Sequence, residues 1–538
     1  MRGQLYSLMT NPDFNGVVET TQAAREAVKR DASIFEVVPT GVIAPRDVND
    51  IQAAVRWASE EVEAGRPVTL AARVGGTCMS GGSLTEGYVL DLKRFFNFTG
   101  QVDPAARTIR TQSGAMHLTI EKAAKKAGLL FASYTSSREI CGIGGMLGNN
   151  ASGEQSIKYG PTSANVNNVK VVLSDGNEYE FGPLSRAEVE DKKRQPTFEG
   201  EIYRRMTDLL DKNSFTIDRN HPRTVKNAAG YQLWDLWDAH KQTLNLGRLF
   251  IGAQGTLGVI TEAELKLVKP GSHRRMIVTP IKDLDKLAEV VKTMLAEGPA
   301  ICETFDHFTY ELAEKYYPQD ADRAHVARGK HMVVFSIFEG ETQDQADIIA
   351  GAAKEALEHK GHDTFWIDEK EVIESFLLIR RKSFGMLLEH PTPNTRAEAF
   401  LEDTIVPLEH YGDFLRELEA ILEEYKLIYT YAGHIGHGSI RLIPLVDMEA
   451  PGAAETVMEL ESKVNDLVIR YGGSISVDHN DGIIRTPFLE KQFGTEMTKL
   501  FEEVKNIFDP LNIFNAGKKV GGTYEYAVEH IIRENVNS

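Results

Sequence analysis

The stretch that most constrains this chain covers residues 142–160 and reads GIGGMLGNNASGEQSIKYG. Glycines and small polar residues fill it, so few of its side chains can join a hydrophobic core. Glycine loses more conformational entropy on folding than other residues, and a chain that accepts this cost usually exposes backbone N–H groups to a flat or anionic ligand. A long surface loop is the other interpretation. The stretch alone does not choose between the two.

Length and charge narrow the possible classes of protein. With 538 residues the chain exceeds one ordinary hydrophobic core, so we expect two or more domains. The net charge of −18 argues against nucleic acid as the main partner. The sequence shows neither an apolar leader nor a membrane-spanning run, which predicts a cytoplasmic protein with at most peripheral contact with a membrane.

The cysteines form neither a paired framework nor a CxxC motif. The sequence contains three, Cys78, Cys141 and Cys302, and their spacing indicates neither an iron–sulfur cluster nor a thiolate zinc site. Unpaired thiols are typical of a reducing compartment.

Hydrophobic periodicity predicts a mixture of helices and strands. Apolar residues at helical spacing predict a helix over 45–65, and two alternating runs around an Asp-Gly pair predict a hairpin of strands 169–174 and 177–181. Because the elements follow no strict strand–helix–strand rhythm, the predicted fold class is α+β. A second region of strand–helix units begins near 270–275.

A second glycine-rich loop, RVGGTCMSGGS at 73–83, follows a predicted strand. Its glycines let the backbone fold around a pyrophosphate, and the hydroxyl groups of Thr77 and Ser80 are suitable hydrogen-bond donors to it. A loop that only turns the chain is the alternative. The sequence has no G-x-G-x-x-G between a strand and a helix and no G-x-x-x-x-G-K-[ST], so neither a Rossmann site nor a P-loop is indicated.

Four segments together resemble the FAD-linked oxidase family: 74–83, 142–160, 252–261 (GAQGTLGVIT) and 508–518 (FDPLNIFNAGK). This family is part of the vanillyl-alcohol-oxidase-like flavoprotein superfamily. The branch that the chain resembles most is that of the D-lactate, glycolate and D-2-hydroxyglutarate dehydrogenases. The resemblance covers residues 32–520.

The resemblance implies two domains. A two-subdomain FAD-binding domain of the PCMH type covers 32–270, and an α+β cap domain of the FAD-linked oxidase C-terminal type covers 275–520. Residues 1–31 are then an N-terminal extension, and residues 521–538 are a C-terminal tail.

The resemblance also implies non-covalent FAD, since no histidine occupies the loop at 74–83. The implied cofactor contacts are the pyrophosphate loop (Val74, Gly75, Gly76, Thr77, Ser80, Gly81), a strip along the flavin (Gly144, Gly145, Asn150, Ser152, Gly153), a group near adenine and ribose (Gly258, Val259, Ile260), and Asn515.

Oxidation of a 2-hydroxy acid needs a cation for the carboxylate, a base for the hydroxyl proton, and a flavin that accepts hydride at N5. The resemblance places Arg380 at the arginine of the family's W-x-x-R motif, with Leu377 replacing the tryptophan. The planar fork of an arginine makes two charge-assisted hydrogen bonds to a carboxylate. A solvated helix face with three consecutive cations is the alternative interpretation. Leu401 stands where some relatives carry a lysine, so we expect no second carboxylate clamp.

The resemblance implies that His479 is the base. The family motif reads S-x-E-H-G-x-G, whereas this chain has Asp478 for the glutamate and Asn480 for the glycine that follows the histidine. Histidine titrates near neutrality, as a general base requires. A histidine beside an acid can also be an ordinary surface pair.

The metal motif of the family is altered here. Relatives with a divalent metal read G-H-x-G-D-G-N-x-H, and this chain keeps His434 but has Arg441 at the last ligand position. One possibility is a reorganised zinc or manganese site of His434, His437 and Asp478. The other, which we favour, is that no metal binds tightly and Arg441 supplies the positive charge, because an arginine beside a dication is unfavourable.

These features predict an FAD-dependent dehydrogenase of a D-2-hydroxy acid, D-lactate-like, with His479, His434, Arg380 and Arg441 as catalytic residues. Electrons are expected to pass to a separate acceptor: a quinone, a cytochrome, an electron-transfer flavoprotein or an iron–sulfur partner. Two alternatives stay open, a flavin oxidase of an alcohol or sugar and a flavin-binding electron-transfer subunit that lacks substrate turnover.

Overall fold

The computed structural model describes residues 4–326, 329, 331–389 and 394–534. Helices and strands alternate irregularly in it, and the predicted α+β class is confirmed. We call residues 4–268 the N-terminal half and the described residues from 271 onward the C-terminal half. The outermost parts of the predicted extension and tail, 1–3 and 535–538, lie outside the described residues.

The N-terminal half begins with a small mixed sheet in the strand order β1–β2–β4–β3. Its elements are α1 (Gln4–Met9), β1 (Val17–Glu19), α2 (Gln22–Glu26), β2 (Gly41–Ala44), α3 (Val48–Glu63), β3 (Leu70–Arg73) and β4 (Tyr88–Asp91). Helix α3 confirms the predicted helix over 45–65. Its N-cap is Asp47, whose carboxylate accepts hydrogen bonds from the N–H groups of Asn49 and Asp50.

A second, antiparallel sheet follows in the order β5–β6–β12–β7–β8. The elements of this part are β5 (Thr99–Asp103), β6 (Thr108–Gln112), α4 (His117–Lys126), α5 (Ile143–Asn149), α6 (Ser156–Tyr159), β7 (Val166–Val172), β8 (Glu178–Phe181), β9 (Leu184–Ser185), α7 (Arg186–Lys193), α8 (Phe198–Arg219), β10 (Trp237–Asp238), β11 (Thr243–Leu244), α9 (Gly247–Phe250) and β12 (Val259–Lys266). The hairpin β7–β8 confirms the predicted Asp-Gly turn, in which Gly176 has a φ of 73°.

The glycine-rich stretch 142–160 is only partly a loop. Helix α5 occupies its first half and buries Ile143, Met146 and Leu147 at helical spacing. The surface-loop interpretation is therefore wrong for this half. Glycines between the buried positions hid the helical period, because they add no hydrophobicity of their own.

The C-terminal half is built on a large sheet in the order β16–β13–β15–β14–β19–β20–β17, with β18 paired to β20. Its elements are β13 (His273–Ile281), α10 (Leu287–Ala296), β14 (Ile301–Asp306), α11 (His307–Tyr316), α12 (Pro318–Ala324), β15 (Met332–Gly340), α13 (Gln343–His359), β16 (Phe365–Ile367), α14 (Lys370–Glu389), β17 (Arg396–Ala397), β18 (Thr404–Ile405), α15 (Tyr411–Glu424), β19 (Ile428–Gly433), β20 (Ser439–Val446), α16 (Ala453–Arg470), α17 (Gly482–Arg485), α18 (Leu489–Phe508) and α19 (Tyr524–His530).

The chain returns to the N-terminal half after α18. Leu70 on β3 donates its N–H to the carbonyl of Ile513 at 2.7 Å and accepts from the N–H of Asn515 at 2.9 Å. The predicted cap range 275–520 thus includes a segment that packs beside β3.

One continuous cluster of buried apolar side chains contains residues of both halves, among them Phe181 and Phe250 on one side and Phe414 and Phe501 on the other. The two halves are therefore packed together, and the candidate site lies where they meet. In the parts of the chain that the structure describes, every helix is too short or too polar to cross a membrane.

Candidate active site at the junction of the two halves

A cavity lined by glycines, which we call the cradle, lies along the start of α5. Gly145 and Gly148 both line it. A Cβ atom added to Gly145 meets no heavy atom within 4 Å, and one added to Gly148 meets only an ordinary contact at 3.6 Å. Any side chain at these positions would extend into the cradle. The cradle therefore fits a flat ligand that needs close approach to the backbone, as FAD does.

About half of the cofactor residues implied by the sequence line the cradle. Those that do are Val74, Gly75, Gly76, Thr77, Gly144, Gly145, Gly258 and Ile260. The remaining ones, Ser80, Gly81, Asn150, Ser152, Gly153, Val259 and Asn515, are not among its lining residues.

Several of these other residues lie outside the lining of the cradle and stabilise the backbone around it. Ser80 Oγ donates to the carbonyl of His479 at 2.8 Å. Asn150 ends α5 with a φ of 52°, and its Oδ1 accepts the N–H of Ser163 at 2.9 Å. A Cβ on Gly153 would stand 1.9 Å from the carbonyl oxygen of Tyr134, which explains the glycine.

The C-terminal segment 508–518 binds residues that line the cradle. Asn515 Nδ2 donates to the carbonyls of Gly82 and Gln254 at 2.7 and 2.6 Å. Gly81 has a φ of 76°, and Val259 is buried in the core.

Sequence reasoning missed some lining residues. Cys78, Ser113, Asn149 and Gln254 line the cradle. Gln254 Nε2 donates to Asn149 Oδ1 at 3.1 Å, and its Oε1 accepts the N–H of Gly482 at 2.8 Å. Gln254 stands inside the GAQGTLG segment, so its position beside three glycines was the available signal.

A second cavity, which we call the inner cavity, shares the cradle's residues and reaches into the C-terminal half. Thr77, Gly145 and Asn149 line both. From the C-terminal half, Arg380, Arg441, Asp478 and His479 line the inner cavity, as does Ser152 from the N-terminal half. The structure thus brings three of the four predicted catalytic residues into one cavity, which shares three lining residues with the cradle.

His434, the fourth, is not among the lining residues of the inner cavity. Its Nδ1 contacts Glu303 Oε1 at 2.6 Å, and its Nε2 stands 3.7 Å from Asp478 Oδ2 and 3.4 Å from Arg441 Nη2. Burial, opposed by Asp478, keeps the pKa of His434 well below its ordinary value. His434 is therefore a neutral imidazole that supports the lining residues.

Arg380 lies on α14 and is 5% exposed. Its Nε stands 2.8 Å from Glu303 Oε2. No group of the described chain accepts a hydrogen bond from its Nη2. One edge of the guanidinium is thus held by Glu303, and a buried donor remains for a ligand. The alternative of a solvated helix face is wrong for Arg380.

Glu303 was not predicted. It lies on β14 and is 1% exposed. Burial raises its pKa to about 7, although Arg380 and Arg441 lower it. A glutamate inside the buried strand ICETFD was the signal in the sequence, since a carboxylate in such a strand needs a cationic partner.

Asp478 is surrounded by cations. Lys226 Nζ is 3.2 Å from its Oδ1, and Arg441 Nη2 is 3.5 Å from its Oδ2. Ser152 Oγ also donates to Asp478. Burial alone would raise the pKa of Asp478, but Lys226, His434 and Arg441 together hold it well below its ordinary value. The aspartate is a buried carboxylate between two positive charges.

The residues do not fit the metal site that the family motif implies. Among the described residues, Glu402, Asp403 and His479 form a set whose ligand atoms all lie within 4.8 Å of one another. In the same part of the chain, His434, His437 and Asp478 do not form such a set. A dication at Asp478 would also be repelled by the two cations already there. The carboxylates of Glu402 and Asp403 already bind His479, Arg485 and backbone N–H groups.

Glu402 orients His479. Its carboxylate contacts the imidazole Nδ1, and Arg485 Nη2 donates to Glu402 Oε1 at 3.1 Å. Burial would raise the pKa of Glu402, but His479 and Arg485 lower it below its ordinary value. An ionised carboxylate at Nδ1 places the proton there and leaves Nε2 as the basic nitrogen.

Asp403 holds the backbone of the same loop. Its carboxylate accepts the N–H groups of Val477, Asp478 and His479 at 2.9, 2.8 and 3.0 Å and the hydroxyl of Ser476 at 2.9 Å. Four donors to one buried carboxylate fix the loop that carries Asp478 and His479.

Fold and site together define a two-domain flavoprotein, with the cofactor cradle in one domain and a polar cavity completed by the other. The FAD binding domain family matches residues 39–182, and the family described as FAD linked oxidases, C-terminal domain, matches residues 271–519. The chain belongs to the FAD-linked oxidase family, in the branch of the D-lactate, glycolate and D-2-hydroxyglutarate dehydrogenases.

Individual relatives support this placement. D-2-hydroxyglutarate dehydrogenase of Pseudomonas putida is 29% identical over 523 residues, which are 95% of this chain and 51% of the relative. D-lactate dehydrogenase of Archaeoglobus fulgidus is 26% identical over 486 residues, 89% of this chain and 91% of the relative. The chain spans about half the length of the D-2-hydroxyglutarate dehydrogenase. The solved structure of p-cresol methylhydroxylase shares the fold, with a TM-score of 0.68 at 13% identity over 98% of each chain.

Proposed function

We propose that this protein is an FAD-dependent dehydrogenase that oxidises a D-2-hydroxy acid resembling D-lactate to the 2-oxo acid. One observation carries the proposal: Arg380, whose buried Nη2 has no partner among the described residues, lines a cavity that shares Thr77, Gly145 and Asn149 with the cradle. The names of the relatives support the substrate class and its D configuration.

Arg380 binds the substrate carboxylate. The edge of its guanidinium that Glu303 leaves free donates charge-assisted hydrogen bonds, and Glu303 keeps that edge aimed at the cavity. A carboxylate fixed there places the adjacent C2 atom inside the same cavity, which Gly145 of the cradle also lines.

His479 removes the proton of the C2 hydroxyl group. Its Nδ1 is held by Glu402, so Nε2 accepts the proton, and the carboxylate stabilises the imidazolium that forms. Bound FAD supplies the acceptor of the C2 hydride.

Arg441 stabilises negative charge on the C2 oxygen as the proton leaves. Within the described chain its Nε has no hydrogen-bond partner, and Asp478 raises its pKa above the usual arginine value despite burial. The arginine is therefore a permanent cation in this cavity, and we propose that no tightly bound metal takes part.

Arg381, which follows Arg380 on α14, is already paired with a carboxylate. Arg381 lines the inner cavity, but its guanidinium contacts both carboxylate oxygens of Glu154 at 2.9 and 2.5 Å. Leu401 is buried outside the lining. Arg381 and Leu401 therefore supply no second carboxylate clamp, while the exposed Lys382 also lines the cavity.

We further propose that the FAD is non-covalent and that the electrons leave to a separate acceptor, a quinone, a cytochrome, an electron-transfer flavoprotein or an iron–sulfur partner. The three cysteines are free and far apart in sequence, as in cytoplasmic proteins. Denaturation of the FAD-loaded protein tests the first point, because a non-covalent cofactor then separates from the chain.

An anaerobic substrate panel tests the reaction. FAD-loaded protein is mixed with D-lactate, L-lactate, glycolate, D-2-hydroxyglutarate or propane-1,2-diol, and the flavin band near ~450 nm is followed. We expect D-lactate to bleach it fastest. Bleaching by the diol alone would favour an alcohol oxidase, and no bleaching by any compound would favour an electron-transfer subunit; either result contradicts the proposal.

A further inference from the structure

Lys226 is a buried lysine of the N-terminal half that contacts Asp478, a lining residue of the inner cavity. It lies between α8 and β10, and its side chain is 4% exposed. Its Nζ donates to Ser152 Oγ at 2.5 Å and stands 3.2 Å from Asp478 Oδ1. A buried ammonium is costly unless it is paired, so this pairing places a full positive charge beside Asp478.

The backbone that carries Lys226 is fixed by other bonds. Ala228 donates its N–H to the carbonyl of Ser476 at 3.0 Å, and Gly230 donates its N–H to Asp481 Oδ2 at 2.9 Å. Asn227 Oδ1 accepts the hydroxyl of Ser474 at 2.6 Å. Segment 226–230 therefore stays aligned with loop 474–481 when the lysine side chain is shortened.

Lys226 acts on Asp478, which stands at the glutamate ligand position of the family's metal motif. On the far oxygen of Asp478 stand Arg441 at 3.5 Å and His434 at 3.7 Å. Lys226 thus holds Oδ1 of Asp478, and Oδ2 of Asp478 positions Arg441.

We propose that Lys226 is a positioning residue that replaces the charge of a metal ion. The ammonium holds Asp478, and Asp478 in turn holds Arg441 at the place where negative charge develops on the C2 oxygen. This inference rests on the proposed oxidation of a 2-hydroxy acid.

The test compares Lys226→Ala with wild type in the FAD-loaded enzyme. Because Arg380 holds the carboxylate independently, we expect KM for D-lactate to stay within about twofold and kcat to fall about 10- to 100-fold. Methylammonium chloride should restore part of kcat, whereas sodium chloride at the same ionic strength should not. An unchanged kcat, or a loss that methylammonium does not reverse, overturns the proposal.

Two further measurements separate charge from packing. Lys226→Gln keeps a hydrogen-bond donor without the charge, so its kcat should fall as far as that of Lys226→Ala. Lys505 is a matched control, because it is also buried and its Nζ pairs with Asp509 at 2.6 Å. Lys505→Ala should lower the melting temperature without an effect of methylammonium on kcat. If Lys226→Gln keeps wild-type kcat, the charge is not needed.

Metal analysis of wild-type protein purified without chelator gives a readout besides activity. We expect zinc and manganese far below one per chain, and stoichiometric metal overturns the proposal. Failure of the proposed function is seen separately, since wild-type flavin would then not be bleached by any 2-hydroxy acid.

Discussion

Replacement of Arg380 by lysine tests the carboxylate site most directly. Lysine keeps a positive charge beside Glu303, whose pKa burial raises to about 7, so the buried carboxyl group retains a cation. What is lost is the planar fork, and with it one charge-assisted hydrogen bond to the substrate. Such a bond contributes about 1.5–3 kcal/mol. We therefore expect kcat/KM for D-lactate to fall about 10- to 150-fold.

The assay is anaerobic stopped-flow bleaching of the flavin with D-lactate and with propane-1,2-diol, which carries a hydroxymethyl group in place of the carboxylate. The diol gains nothing from Arg380, so its rate should be unaffected and the preference for lactate should shrink by the same factor. Arg323→Lys on α12, where the side chain is 50% exposed, is the matched control. An unchanged preference for lactate in Arg380→Lys refutes the assignment.

Three other perturbations have defined outcomes. Glu402→Gln removes the charge that stabilises the imidazolium, so kcat should fall about 100-fold or more while the bound FAD spectrum stays unchanged; a loss below threefold contradicts the role of Glu402. Gly145→Leu should abolish FAD retention on gel filtration while the apoprotein keeps its melting temperature, because the side chain enters the cradle; Gly351→Leu, at an equally open helical position, should retain FAD. Burial raises the pKa of Glu461 to about 7, so the folded state holds a proton that the unfolded state releases, and stability falls as pH rises from about 4.5 to about 7. Glu461→Gln should therefore stabilise the protein by up to about 3 kcal/mol at pH 8 and by much less at pH 5 in urea unfolding, unlike the exposed Glu455→Gln, and an equal effect at both pH values contradicts this.

Local signals in the sequence were sufficient for elements whose stability is local. The helix over 45–65 and the Asp-Gly hairpin depend on spacing, a cap and one turn, and both formed as predicted. Helix α5 was obscured because its glycines serve the cradle rather than the helix. The cofactor was predicted from the resemblance of four segments to a known family. Hydrophobic periodicity does not reveal such segments.

The supporting charges of the site could not be read from the sequence. Lys226 and Asp478 are 252 positions apart and meet only through the packing of the two halves. Glu303 pairs with Arg380 and His434, which are distant from it in sequence. The residues next to Glu303 in the sequence therefore do not indicate these contacts. The groups proposed to react could therefore be predicted from the sequence. The groups that orient them became apparent only in the tertiary structure.

The hydrogen bonds of Asn515 set an order of events during synthesis. Its side-chain amide holds Gly82 and Gln254, and Gln254 is part of the cradle wall. Translation must therefore pass Asn515 before the cradle has its final shape. Chains that end before Asn515 lack this support and should not retain FAD.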